Sequence, residues 1–212
     1  MGWRRILASE TASNDSLPDS IRACRLCAPD FARTKTAHAP RPVPWFRPSA
    51  RLLIAGQAPG ARVHASGVPF DDRSGDRLRD WLGLSRAQFY DKDTVAIVPM
   101  AFCFPGYSAK SSDLPPPPRC VRTWRQQVMD HLPNLTLTIV IGRYAQAWHL
   151  GDSARKAGVR PTVENWRAYA PSVFPLPHPS WRNNAFLRQN PWFEDDLLPA
   201  LKARVTHVFG DA

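Results

Sequence analysis

The chain has 212 residues, of which 43% are hydrophobic, a composition that excludes a disordered protein and permits one domain with a real core. No apolar run approaches the roughly 20 residues of a membrane span, and the N-terminus does not resemble a signal peptide, so we expect a cytoplasmic protein with no membrane partner. The formal net charge of +10 favours a nucleic-acid partner, and the alternative is that the charge only keeps the protein soluble.

Apolar runs and turn residues divide the chain into alternating strands and helices. The predicted elements, in chain order, are a polar segment over 1–20, a short helix over 21–27, a strand over 51–55, a helix over 77–84, a strand over 94–98, a helix over 121–132, a strand over 135–141, a helix over 144–150, a strand over 172–176 and a helix over 190–205. Residues 21–208 are expected to form one domain. Short apolar strands that alternate with helices indicate an α/β fold, a single domain with a central four-stranded, mainly parallel sheet flanked by helices.

Two loops directly follow predicted strands. Gly56–Gly60 follows the first strand, and His178–Ser180 follows the fourth. Because ligands bind at the carboxyl ends of parallel strands, both loops are expected at one edge of the sheet although they lie far apart in the chain.

The chain contains four cysteines, Cys24, Cys27, Cys103 and Cys120. Cys24 and Cys27 form a C-x-x-C pair, which places two thiolates on one side of a tight turn. Sixteen residues separate the other two, and a loop of that length can fold back on itself. In a reducing compartment this pattern indicates a metal site rather than disulfides. Spacing alone leaves zinc and an iron–sulfur cluster open.

Several ordered segments together resemble the uracil-DNA glycosylase superfamily, in particular its iron–sulfur branches, families four and five. The matching segments are Gly56-Gln57-Ala58-Pro59-Gly60, Gly67-Val68-Pro69-Phe70, His178-Pro179-Ser180 and the four cysteines. The resemblance implies a monofunctional DNA glycosylase that hydrolyses the N-glycosidic bond of uracil in DNA. It also implies that the cysteines hold a structural [4Fe–4S] cluster, with zinc as the alternative, and that the protein acts as a monomer.

The same resemblance assigns roles to residues of the two loops. Excision requires the nucleotide to flip out of the duplex into a pocket. Phe70 is then the stacking surface, the turn at Gln57 and Ala58 contacts the base, and His178 donates to uracil O2 as a neutral imidazole.

The catalytic carboxylate of better-known relatives is absent from its usual position in this chain. Their GQDPY motif has Asp at the position of Ala58, so we look instead to the Asp71-Asp72 pair after Phe70. The spacing of Asp72 to Ser74-Gly75 matches the family-five pattern, which favours Asp72 over Asp71. The alternative is that Asp72 only caps the helix that follows.

A second departure concerns the base. Many relatives carry Asn where this chain has Pro99, and proline offers no hydrogen-bond donor. Asn183 and Asn184 are candidates to replace that contact. Two rival functions follow: a glycosylase for another deaminated base, such as hypoxanthine or xanthine, and a weakly catalytic protein that binds damaged or abasic DNA.

The residues after His178 are candidates for binding DNA. Ser180 and Arg182 are predicted to contact the backbone, since arginine often binds phosphate. Trp181 is predicted either to pack against DNA or to anchor the loop.

Overall fold

The computed structural model describes residues 16–210. Four strands form one sheet in the order β2-β1-β3-β4, and every neighbouring pair is parallel. The strands are β1 Leu52–Ala55, β2 Val95–Ile97, β3 Leu137–Ile141 and β4 Val173–Leu176. The predicted α/β fold and its four strands are confirmed, each strand beginning one or two residues later than expected.

Helices cover both faces of the sheet. They are α1 Ser16–Ala23, α2 Ala28–Phe31, α3 Ala61–Ser66, α4 Arg73–Leu82, α5 Arg86–Tyr90, α6 Pro118–Cys120, α7 Gln126–Asp130, α8 Gly142–Leu150, α9 Asp152–Ala157, α10 Val159–Glu164, α11 Asn184–Gln189 and α12 Leu198–Gly210, with π-helical turns at Val121–Arg125 and Phe193–Leu197 and 3₁₀ turns at Trp166–Ala168 and Trp181–Asn183. Sequence periodicity missed α3, α5, α9, α10 and α11, since helices of five or six residues are too short to show a repeat. None of the described helices has the length and apolar character needed to cross a membrane.

Alternate residues of the strands supply the core on each face. Leu52 and Ile54 of β1 face a cluster that includes α4 and α12, whereas Leu53 and Ala55 face a second cluster that includes Val128 of α7. All four residues of β1 are fully buried. Burial on both faces explains why β1 reads as a continuous apolar run rather than as an alternating one.

The N-terminal part differs from the expectation. Residues 1–15 of the predicted polar segment lie outside the described residues, and its remainder belongs to α1, whose Ile21 is fully buried. The helix predicted over 21–27 is wrong, because α1 ends at Ala23 and both cysteines follow it. Arg25 donates to the carbonyl oxygens of Arg22 and Cys24, and these bonds satisfy carbonyl groups at the end of α1.

The strand order locates the binding edge. From β1 the chain moves to β2 on one side and later to β3 on the other, so the switch point lies between β1 and β3. Ligands of open parallel sheets bind at the carboxyl ends of the strands beside such a point. The loops after β1, β2 and β4 all reach this edge.

Candidate active site

The loop after β1, Gly56–Gly60, is held by the segment that follows β2. Met100 donates its backbone N–H to the Gly56 carbonyl at 2.9 Å, and Ala101 donates to the Gln57 carbonyl at 3.1 Å. The Gln57 side-chain amide lies 3.5 Å from the carbonyl oxygen of Leu114, a long contact. Within residues 16–210 the backbone N–H groups of Gln57 and Ala58 have no protein partner, so they are free to bind a ligand.

Phe70 is held at the edge of this loop in an unusual conformation. Its φ is +53°, in the left-handed region that a bulky side chain rarely adopts. The Tyr90 hydroxyl reaches the carbonyl oxygens of Pro69 at 2.9 Å and Phe70 at 3.2 Å. The Phe70 ring packs edge-on against Phe89, with 6.1 Å between centroids. Backbone strain that surrounding contacts maintain is a common feature of functional sites.

Asp72 caps the N-terminus of α4. Its Oδ1 accepts the backbone N–H of Gly75 at 2.9 Å, whereas Oδ2 has no partner among the described residues. The capping and catalytic interpretations are therefore compatible, because each uses a different oxygen. Asp71 instead pairs with Arg86 at 3.1 Å and lines neither of the cavities described below.

His178 follows β4; its side chain is exposed to solvent, and the surrounding protein removes part of its hydration. Burial lowers the pKa of His178, the carboxylates of Asp72 and Asp113 act in the opposite direction, and Arg182 adds to the lowering. The neutral imidazole is therefore favoured. Asn183 donates its side-chain amide to the His178 carbonyl at 2.6 Å and so holds this loop in place.

These segments enclose two connected spaces. The inner cavity, about 140 Å³, and the outer groove, about 750 Å³, share seven residues at their junction: Gln57, Ala58, Pro59, Asp72, Ser74, Asp113 and His178. The remaining residues of the inner cavity are glycine or carry apolar side chains: Val43, Gly56, Gly60, Val63, Pro69, Phe70, Ile97 and Pro99. The inner cavity thus has apolar walls and polar groups only at its mouth, an arrangement that suits a flat ring carrying a polar substituent at the junction.

The family model of the uracil DNA glycosylase superfamily matches residues 43–202, about three quarters of the chain. The chain belongs to the uracil DNA glycosylase superfamily. Membership supports a DNA glycosylase that acts as a hydrolase on DNA.

Within this glycosylase the predicted site residues divide between the two spaces. Phe70 lines the inner cavity, and Gln57, Ala58, Asp72 and His178 lie at the junction. Asn183 lines only the outer groove, so its contact with the base stays a prediction. Its side-chain amide donates a hydrogen bond to the His178 carbonyl oxygen.

The outer groove of the glycosylase is the candidate DNA surface. Ser180, Trp181 and Arg182, the residues with a predicted role at DNA, line this groove, and Trp181 is 73% exposed. The Arg182 guanidinium lies 5.9 Å from the centroid of the Trp181 ring. Sequence reasoning missed Arg62 and Arg73, which line the same groove, because Arg62 belongs to no motif and Arg73 is the variable position between Asp72 and Ser74.

Asp113 is a residue of the junction that sequence reasoning did not single out. It lies at the junction beside Asp72, on a loop that joins the third and fourth cysteines. The only sequence signal was its place two residues before the proline run 115–118, which marks a turn but not a site.

The four cysteines of the glycosylase line one apolar cavity between α1, α2 and α6. All four are free thiols. Burial, together with the charges of the neighbouring cysteines, raises the pKa of Cys103 to about 12, and burial raises that of Cys120 to about 11. Free thiols that line one cavity offer sulfur donors of the kind that metal centres use.

The spacing of these thiols bears on the kind of centre. Among residues 16–210 no three His, Cys, Asp or Glu side chains stand close enough to hold a single metal ion. A zinc ion requires four sulfur atoms at about 2.3 Å from one point. A four-iron cluster takes four cysteines around a larger inorganic core, so its ligands stand further apart. Four cysteines that line one cavity supply the number of ligands that such a cluster requires.

Proposed function

We propose that this protein is a monofunctional glycosylase that hydrolyses the N-glycosidic bond of uracil in DNA and leaves an abasic site. The observation that carries the proposal is the junction of a small apolar cavity with an arginine-lined groove, where Asp72 and His178 lie together. A flipped base enters the inner cavity and the sugar–phosphate backbone stays in the groove. The bond to be broken then crosses the junction.

The junction residues suit the charges that develop as this bond breaks. The base gains negative charge, which the N–H of a neutral His178 stabilises together with the backbone N–H groups of Gln57 and Ala58. The sugar gains positive charge, which the free Oδ2 of Asp72 stabilises. Neither the inner cavity nor the outer groove is lined by lysine, so the lining residues supply no amine for a covalent Schiff-base intermediate.

A second substrate class has a specific observation in its favour. Pro99 and the other inner side chains give no hydrogen bond to the base edge, so uracil is read only by groups at the mouth and by backbone. A related deaminated base, such as hypoxanthine or xanthine, meets the same apolar walls. A weakly catalytic protein that binds damaged or abasic DNA is the remaining alternative, motivated by Ala58 in place of an acidic residue together with Pro99.

Excision assays separate these functions. Purified protein is incubated with single- and double-stranded oligonucleotides that carry uracil, hypoxanthine or xanthine, and abasic sites are then cleaved with alkali. We expect scission at uracil, and preferential scission at a purine would select the second class. Binding without scission on any substrate would overturn the enzyme and leave the DNA-binding alternative. The variant Asp80→Asn, which changes an exposed aspartate outside both spaces, is the control for charge.

We further propose that Cys24, Cys27, Cys103 and Cys120 hold a structural [4Fe–4S] cluster. A cluster held by these cysteines would join the segment after α1 to α6 and so would support the loop that carries Asp113. Its test is spectroscopic: a brown protein that absorbs near about 400 nm and contains iron and sulfide is expected. Stoichiometric zinc in a colourless protein would select zinc instead. Cys103→Ser is expected to remove the absorbance and lower the melting temperature.

A further inference from the structure

Asp113 lies on a short loop, and backbone hydrogen bonds within that loop hold its conformation. Tyr107 and Asp113 form an antiparallel bridge, and Leu114 donates its N–H to the Gly106 carbonyl at 2.9 Å. Ser108 donates its N–H to the Ser112 carbonyl at 2.8 Å within the same turn. The backbone of Asp113 is therefore fixed while its carboxylate is exposed to the groove.

Asp113 and Asp72 both lie at the junction of the inner cavity and the outer groove. These two are the acidic residues among the seven that line both the inner cavity and the outer groove. The charges of both act on the imidazole of His178 from separate loops. Two carboxylates therefore flank the place where the proposed glycosidic bond crosses.

The two carboxylates differ in how many of their oxygen atoms have a hydrogen-bond partner. Asp72 is oriented by its bond to Gly75, which leaves one oxygen for the site. Neither oxygen of Asp113 has a hydrogen-bond or ion-pair partner in the described part of the chain. A carboxylate that is free on both oxygens can accept a hydrogen bond from a water and then take its proton.

The positive charge of the groove around Asp113 argues against a role of Asp113 in binding DNA. Arg62, Arg73 and Arg182 line the same groove and suit phosphate, whereas an aspartate repels it. An anion at the centre of a basic groove weakens DNA binding unless it acts on a positively charged or proton-donating group. The sugar cation and the attacking water are the two such groups of a glycosylase reaction.

Resting on the proposed function, we propose that Asp113 is a second catalytic carboxylate, which accepts the proton of the attacking water while Asp72 stabilises the sugar cation. The water oxygen bonds to C1′ as the C1′–N bond breaks, and the bonding electron pair leaves with the base. The water proton passes to Asp113, and the base anion is protonated from solvent. One water is consumed, and an abasic site and a free base result.

Single-turnover kinetics on a uracil-containing oligonucleotide test this role. Asp113→Asn is expected to lower the rate by about 100-fold or more, the range of general base catalysis. Its affinity for an oligonucleotide with 2′-fluoro-2′-deoxyuridine, which resists cleavage, is expected to equal or slightly exceed that of the wild type. Asp80→Asn, with the same change of charge outside the site, is expected to leave both quantities unchanged.

The excision rate lost on substitution of Asp113 is expected to be recoverable by an added carboxylate, because the variant lacks only the proton acceptor. Sodium formate added to Asp113→Ala supplies a carboxylate and is expected to restore part of the rate, whereas sodium chloride at equal concentration is not. A rate for Asp113→Asn close to that of the wild type, or no difference between formate and chloride, overturns the inference while the proposed function stands. Failure of the wild type to excise any base overturns both.

Discussion

A Cβ atom added at Gly75 would lie 1.8 Å from the carbonyl oxygen of Phe70. Gly75 belongs to α4 and Phe70 borders the inner cavity, so this close approach joins the helix to the proposed stacking surface. It also explains why position 75 is glycine, since any side chain there would overlap the backbone of Phe70.

Gly75→Ala is therefore expected to lower the free energy of unfolding and to impair excision. In an unobstructed helix the same change stabilises by about 1 kcal/mol, so a loss at Gly75 reports the clash with Phe70. Urea unfolding and single-turnover rates measure the two effects. Gly210→Ala in α12, where a Cβ meets no atom within 4 Å, is the matched control and is expected to be neutral or slightly stabilising. Equal effects of the two substitutions would contradict the prediction.

The two roles of Asp72 are expected to separate by substitution. Asparagine also caps helices well, so Asp72→Asn is expected to keep stability within about 0.5 kcal/mol of the wild type, whereas Asp72→Ala loses about 1 kcal/mol. Both variants lack the carboxylate and are expected to lose most of the excision rate. Full activity of a stable Asp72→Asn variant would remove Asp72 from the reaction and leave it as a cap.

His149 is expected to make the fold sensitive to acid. Burial, with the nearby charge of Arg125, lowers the pKa of His149 from 6.5 to about 3. Between these values the unfolded chain binds a proton that the folded chain does not, so the stabilising contribution is complete above pH 6.5 and declines as the pH falls. The Arg125 guanidinium contacts Nε2 of His149, and a glutamine oxygen can accept from the same group.

His149→Gln is accordingly expected to unfold with a weaker pH dependence than the wild type over about pH 5 to 7. Urea unfolding midpoints at several pH values measure the slope. Burial also lowers the pKa values of His64 and His178, so part of the dependence is expected to remain. Parallel curves for variant and wild type would show that His149 is not the group responsible.

Pro99 is expected to limit the selectivity for uracil. Pro99→Asn places an amide in the wall of the inner cavity, where one added hydrogen bond to the base is worth about 1.5 kcal/mol, or roughly tenfold in rate. We expect the ratio of uracil to hypoxanthine excision to rise by about that factor. The matched control is Pro133→Asn, at an exposed proline away from both spaces. An unchanged ratio would mean that the base does not approach Pro99.

Arg182 is expected to contribute one phosphate contact. Arg182→Ala should weaken binding to all oligonucleotides alike and reduce the slope of log affinity against log salt by about 1. Arg188→Ala, at an exposed arginine of α11 that does not line the groove, is expected to change neither. Fluorescence anisotropy at several salt concentrations measures both variants. A loss restricted to uracil-containing DNA would assign Arg182 to base recognition instead.

Local sequence patterns determined the sheet and the motifs that follow its strands. The continuous apolar run of β1 predicts burial on both faces, and the loops at Gln57 and His178 were expected at one edge because parallel strands share their direction. The C-x-x-C pair likewise predicted a shared cysteine site. Each of these inferences needs only neighbouring residues and a rule of chain geometry.

Tertiary structure alone decided how those motifs are completed. Asp113 reaches the junction through a loop that folds back over many residues, and no local pattern distinguishes it from a surface aspartate. Asn183, which looked suited to the base, is turned to the His178 carbonyl. The apolar wall around Pro99 and the free oxygen of Asp72 depend on which distant groups satisfy or enclose each side chain. These are long-range contacts, and they set the chemistry that the sequence motifs only locate.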